Sequence, residues 1–202
     1  MSSRDTILTK IRSALGSVSE KSDYPDYDPA VFHSHPKLEG TPREAFDRNF
    51  IAAGGEVMRD IAELVAFLQK DGHTRGYCDP TLMDAVGHAL AAAGLTVETV
   101  YDRSRYEDFQ FGITRASGAI AESGSLILDD ARTSDRLAAL SPWVHVGVLF
   151  ESEIHRTIPD AIAAFGPSRN ILWATGPSKT ADVEGILIEG VHGPGEQVAL
   201  FI

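Results

Sequence analysis

Cysteine is almost absent from this chain. Cys78 is the only one in 202 residues, so no internal disulfide forms and no four-cysteine zinc or iron–sulfur site can be assembled. A lone thiol of this kind reads as a small buried residue. Long apolar runs are missing too. None approaches the roughly 18 residues of a membrane helix, and the N-terminus has no apolar leader with a cleavage pattern, so the expectation is a cytoplasmic protein without a membrane span. Basic residues are scarce, 18 against 29 acidic ones, for a formal charge of −11. Such a field repels nucleic acid and anionic membrane, although a local basic pocket can still hold an anion. The GxSxG elbow, HExxH, the GxxxxGK[ST] phosphate loop and a well-spaced dinucleotide motif are all lacking.

What is present suits one core with an appended arm. Ile7, Leu8, Ile11 and Leu15 fall on one helical face, with Ser2 and Asp5 at capping-box spacing and Gly16 as a stop. Residues 17–40 lose this periodicity and carry three of the ten prolines, with Tyr24, Tyr27, His33 and His35 scattered among them. They read as an extended linker. His33 and His35 lack a carboxylate or cysteine at ligand spacing, so no metal site is expected there. The division is therefore 1–40 for the arm and linker and 41–202 for the compact domain. An arm of this type docks on its own body, on a second copy in a homo-oligomer, or on a partner.

The domain opens with Thr41, Pro42 and Glu44 as N-cap, N1 and N3 of a helix that carries Phe46 and Phe50 and stops at Gly54-Gly55. An extended piece at 56–58 precedes a second helix, with Asp60 as cap, Glu63 closing the box and Gly72 as stop. Residues 75–78 read as a strand, Asp79-Pro80 starts a third helix through Ala93, and 95–101 is the next strand. Helices alternating with short apolar strands predict an α/β fold, an open and largely parallel sheet with helices on both faces. Sites in such sheets lie at strand carboxyl ends. From Gly112 the pattern changes. Residues 113–121 and 125–129 look like a small hairpin joined at Ser123-Gly124. A short helix over 131–140 with Arg132 and Arg136, a strand at 144–150, a helix at 158–165 and strands at 171–174 and 197–202 complete the domain.

The densest polar stretch runs from Gly176 to Pro194. Gly176-Pro177 leaves the strand at 171–174, and residues 182–188 could form a short helix, so unpaired N–H groups together with Ser178, Lys179 and Thr180 would make an anion site. A plain turn with Thr180 as N-cap fits the same spacing. Asp182 follows directly. His192 sits between glycines that let a ligand approach, and it equally suits a solvated turn. Glu122 beside Gly124 can act as general base or carboxylate nucleophile, or stand as an exposed hairpin residue. Arg136 can fork onto a carboxylate, whereas Arg132 reads as a solvated helix charge.

Two runs carry a resemblance. Gly112-Ile113-Thr114, then 119–128 with Glu122-Ser123-Gly124-Ser125, then Arg136 through Val146, together with Gly176 to Pro194, resemble the LUD domain, the lactate utilisation protein C family. The likeness spans about 41–202. Ser123 and Ser125 stand where threonine is usual, Lys179 where arginine is, and Ser141 where proline is. The resemblance implies a fold like that of sugar-phosphate isomerases and CoA transferases. It also implies a role in oxidising L-lactate to pyruvate beside iron–sulfur partner proteins, with no cofactor on this chain. Thr114 joins Arg136, Ser178, Lys179, Thr180 and Asp182 as candidate contacts to a small carboxylate or other anion, with Glu122 and His192 as candidate catalytic groups. An alternative comes from the same kinship. CoA transferases place an acyl-accepting glutamate in a Glu-x-Gly turn, which Glu122-Ser123-Gly124 resembles, so a free-standing transferase or isomerase is the competing reading.

Overall fold

A computed structural model describes residues 2–16, 38–130, 132–133, 135–165, 170–181 and 185–202. They belong to two compact units, Met1–His33 and Ser34–Ile202. Tyr24, Tyr27, His33, His35 and Asp182 lie outside the described residues. In the first unit, α1 (Ser3–Leu15) starts at a capping box: Ser2 Oγ accepts from the Asp5 N–H and Asp5 from the Ser2 N–H. No residue of α1 is buried, and Ile7, Ile11 and Leu15 form an exposed stripe.

The second unit begins with α2 (Pro42–Ala52), where Thr41 and Glu44 close the expected box and Pro42 occupies the first turn. Phe46 and Phe50, one turn apart, stack at 5.1 Å in the core. After β1 (Glu56–Met58), α3 (Ile61–Lys70) starts at Asp60, which accepts from the Glu63 N–H. Glu63 itself reaches back to the Arg59 N–H, one residue before the cap. β2 (Arg75–Cys78) follows. The helix expected from Asp79 to Ala93 is broken into a 3₁₀ turn at Pro80–Leu82, a π turn at Met83–Gly87 and α4 (His88–Ala92). Asp79 Oδ1 tightens that first turn by accepting from both the N–H and the hydroxyl of Thr81, at 2.9 and 2.7 Å.

The remaining elements are β3 (Thr96–Glu98), β4 (Phe111–Arg115), β5 (Gly118–Ile120), β6 (Ser125–Asp129), α5 (Arg136–Leu140), β7 (Val144–Leu149), β8 (Ile154–His155), α6 (Ile158–Phe165), β9 (Ile171–Ala174), β10 (Lys179–Ala181), β11 (Leu187–Glu189) and β12 (Glu196–Phe201). Six strands form a wholly parallel sheet in the order β1-β12-β7-β4-β2-β3. One face packs Ile113, Val146 and Val198 against Leu64 and Leu68 of α3 and Leu90 of α4. The other packs Ala199 and Leu149 against Phe46 and Phe50 of α2 and against Leu126 and Leu128 of a second sheet. Helices on both faces of a parallel sheet are the arrangement the alternating pattern predicts.

The second sheet, β8-β5-β6-β9, contains the expected hairpin as its central pair. It is larger than a lone hairpin, because β8 and β9 add one strand on each side. The single run read over 113–121 is divided at Ala116 and Ser117, which carry the chain from one sheet to the other. The helix read over 131–140 contracts to α5, leaving Arg132 outside it. Of the short helix read over 182–188, residues 182–184 lie outside the described residues, and its end is corrected: Leu187–Glu189 is a strand paired antiparallel with Lys179–Ala181. Cross-strand bonding satisfies those backbone groups, and a run holding Ile186 and Ile188 favours the pleated form.

Candidate functional site

Along α2 the structure gathers two of the polar stretches. The turn at 121–124 lies on it, because Asn49 Nδ2 donates to the Ala121 carbonyl at 2.7 Å and Gly124 meets the backbone of Asn49 and Phe50. Gly176 meets Ala53, while Pro177 and Lys179 approach Gly54. A chain of hydroxyls joins the two stretches: Ser123 to Ser125 at 2.7 Å, and Ser125 to Thr175 at 2.6 Å.

Glu122 is not the exposed hairpin carboxylate that its turn suggests. Only 9% of it is accessible, and its Oε2 accepts from the Ile158 N–H at 3.0 Å, at the first turn of α6. Lys179 stands opposite Glu189 in the hairpin with its Nζ 3.4 Å from that carboxylate, and Thr180 stands opposite Ile188. The Ser178 backbone closes a turn, donating to Pro194 and accepting from Gly190. His192 is an exposed residue of that same turn.

Thr114 lies elsewhere, on the buried face of the central strands. Its hydroxyl is 2.9 Å from His145 Nε2, and the Gln197 amide nitrogen is 2.6 Å from His145 Nδ1. With Gln197 donating to Nδ1, the ring proton sits on Nε2 and is donated to Thr114. Burial pushes the imidazole down to about 4, against a weaker upward pull from Gln197. The row is therefore neutral. It ties β4, β7 and β12 together under the core.

Arg136 opens onto a cleft of about 560 Å³ lined also by Arg103, Asp130, Thr133 and Leu140. Thr133 anchors the cleft to the carboxyl end of β4, because its hydroxyl donates to the Arg115 carbonyl at 3.3 Å. Asp135 starts α5 by accepting from the Leu137 N–H, which holds Arg136 at the rim. Its Nη2 pairs with Asp130 at 2.6 Å, whereas Arg103 has no ion pair among the described residues. Two guanidiniums, of Arg103 and Arg136, and two carboxylates, of Asp130 and Asp135, thus line one cleft near the carboxyl end of a central strand. Neither Ser178, Lys179, Thr180 nor His192 lines this cleft.

Arg103, Thr133, His145 and Gln197 escape a reading of the sequence. His145 does leave a trace, being the polar residue in a strand that is otherwise apolar, and Gln197 stands beside Glu196 at the start of an apolar run. Arg103 leaves none, since it sits in the irregular charged segment before β4. Among the described residues no group of three His, Cys, Asp or Glu gathers as a metal site, and no helix is long and apolar enough to cross a membrane.

Comparison with known proteins adds to this geometry. The family model of the LUD domain matches residues 84–202. Lactate utilization protein C of Deinococcus radiodurans is 37% identical over 87 residues, covering 41% of this chain and 41% of that protein. Its namesake in Bacillus licheniformis is 32% identical over 99 residues, covering 45% and 41%. The matched stretch thus spans about two-fifths of the length of these relatives. An uncharacterized protein of Neisseria meningitidis is 24% identical over an alignment of 226 residues, covering 100% of this chain and 94% of its own. The crystal structure of a DUF162 family protein from Deinococcus radiodurans shares the fold, with a TM-score of 0.57 at 21% identity, covering 79% of this chain and 95% of that one.

Proposed function

Because the chain belongs to the LUD domain family, we propose that it is a component of an L-lactate utilisation system and binds a small carboxylate, L-lactate or pyruvate, beside Arg136. The observation that carries this reading is the pairing of Arg103 and Arg136 in one cleft at the carboxyl end of β4, on a chain whose relatives bear the name lactate utilization protein C. A carboxylate entering there takes a planar, two-pronged contact from Arg136 in place of Asp130. Arg103 supplies a second positive charge.

Oxidation of lactate to pyruvate releases two electrons and two protons, so an acceptor is required. Iron–sulfur partner proteins fill that role in this reading. Cys78 is unsuited to hold a cluster, because burial and then the neighbouring Asp79 push its thiol up to about 12 and keep it protonated.

The test is a thermal-shift titration with L-lactate and pyruvate. At a hundred times its Kd either ligand adds about 2.7 kcal/mol, which raises Tm by about 5–10 °C for a domain of this size. Arg136→Ala abolishes the shift and Lys179→Ala retains it. No shift with either compound sinks the reading. A shift lost only in Lys179→Ala moves the site to the β10–β11 hairpin. The acyl-transfer alternative needs Glu122 as acceptor, and burial against α6 weighs against it. Hydroxylamine trapping of an acyl-Glu122 after incubation with acyl-CoA would restore it.

A further inference from the structure

A second cleft, of about 430 Å³, lies at the amino ends of β2, β4 and β7 and shares no lining residue with the first. Trp143 and Tyr106 line it, and they keep 46% and 51% of their surfaces accessible. Two accessible aromatic rings in one cleft offer a flat apolar surface to a ligand. The six-membered part of the Trp143 indole rests against Gly190 and Gly195, where any side chain would collide with it. Bare backbone behind the ring holds it as a platform.

His73 supplies a directional group. Its Nε2 is buried without a hydrogen-bond partner, a state that buried polar atoms rarely keep. The residue is held in place rather than loose: its N–H donates to Leu68, and Gln110 Oε1 accepts from the Thr74 and Arg75 N–H groups at 2.7 and 3.1 Å, clamping the turn that carries it. Among the described residues no lysine or arginine lines the cleft, and the charged lining group is Glu107. A phosphate or carboxylate would meet no counter-charge there.

From these features we infer that the amino-end cleft binds an uncharged, planar nitrogen heteroaromatic ring, stacked on Trp143 and hydrogen-bonded at its edge by His73 Nε2 once that imidazole turns out into the cleft. Stacking on an accessible indole recognises any flat π-system. A ring nitrogen or carbonyl edge completes the unpaired imidazole, and the missing cations exclude an anionic grip.

Calorimetric titration of the full chain with adenosine, riboflavin and ribose 5-phosphate tests this. Saturable one-to-one binding of adenosine or riboflavin is expected, with none for ribose 5-phosphate, which carries sugar and phosphate without an aromatic base. Trp143→Leu should weaken that binding by about tenfold or more, and His73→Phe, which keeps an aromatic ring in place, by about fivefold. Failure of both ring compounds to bind overturns the inference. So does binding of ribose 5-phosphate as tight as theirs, or unchanged affinity in both variants.

Discussion

Glu122 shows how a turn carboxylate becomes structural. Its Oε2 accepts from Ile158 at the first turn of α6, where Thr157 and Asp160 also cap each other, so a negative group there satisfies an otherwise orphaned N–H and complements the helix dipole. Glu122→Ala should lower unfolding stability by about 1.5–3 kcal/mol, as for a buried hydrogen bond to a charged group, read from urea denaturation. His145 gives a second prediction at this scale. Burial holds its pKa at about 4, below the ~6.5 of an exposed histidine. Between those values the unfolded chain binds a proton that the folded one refuses. Its contribution is therefore complete above about pH 6.5, falls as pH drops through that window, and levels off below about pH 4 after a loss of about 3 kcal/mol. His155, also pushed down by burial, adds a slope of the same sign. Urea unfolding followed from about pH 7.5 to 4.5 should therefore show a shallower acid slope in His145→Gln than in the native chain, with the difference belonging to His145.

Among the elements, α2 serves as the spine against which the polar turns pack. Gly124 has φ 63° and meets the Phe50 backbone, so a Cβ there finds both a strained conformation and no space. Gly124→Ala should cost about 2 kcal/mol or more in thermal unfolding. Gly94→Ala is the control: its φ of 92° is strained too, but nothing lies within 4 Å of the added carbon, so it should cost about 1 kcal/mol. An equal loss at both positions would mean that contact with α2 is unimportant. Element boundaries were readable where chemistry is local. Thr41 and Glu44 start α2 as their spacing foretells, and α6 spans Ile158–Phe165 as the apolar pattern indicates. At Leu187 and Ile188 the short polar-apolar run suits a helix or a strand alike, and the pairing of Leu187–Glu189 with Lys179–Ala181 makes this part a strand.

Across the whole molecule, one parallel sheet is covered on both faces and carries clefts near different strand ends. With a net charge of −11, the cationic groups Arg103 and Arg136 stand out against the average field, and anion binding there should weaken as salt rises. The α/β class, the covered faces, the added hairpin and the caps of α1, α2 and α3 were determined by the sequence alone, because they rest on hydrophobic period and on hydrogen bonds between residues three apart. Tertiary structure alone decided that β5 and β6 join a second sheet, that Glu122 serves α6, that His145 bridges Thr114 and Gln197, and that Arg103 and Arg136 line one cleft. Each of those contacts joins distant stretches of chain, and strand order and packing, rather than spacing, bring such residues together.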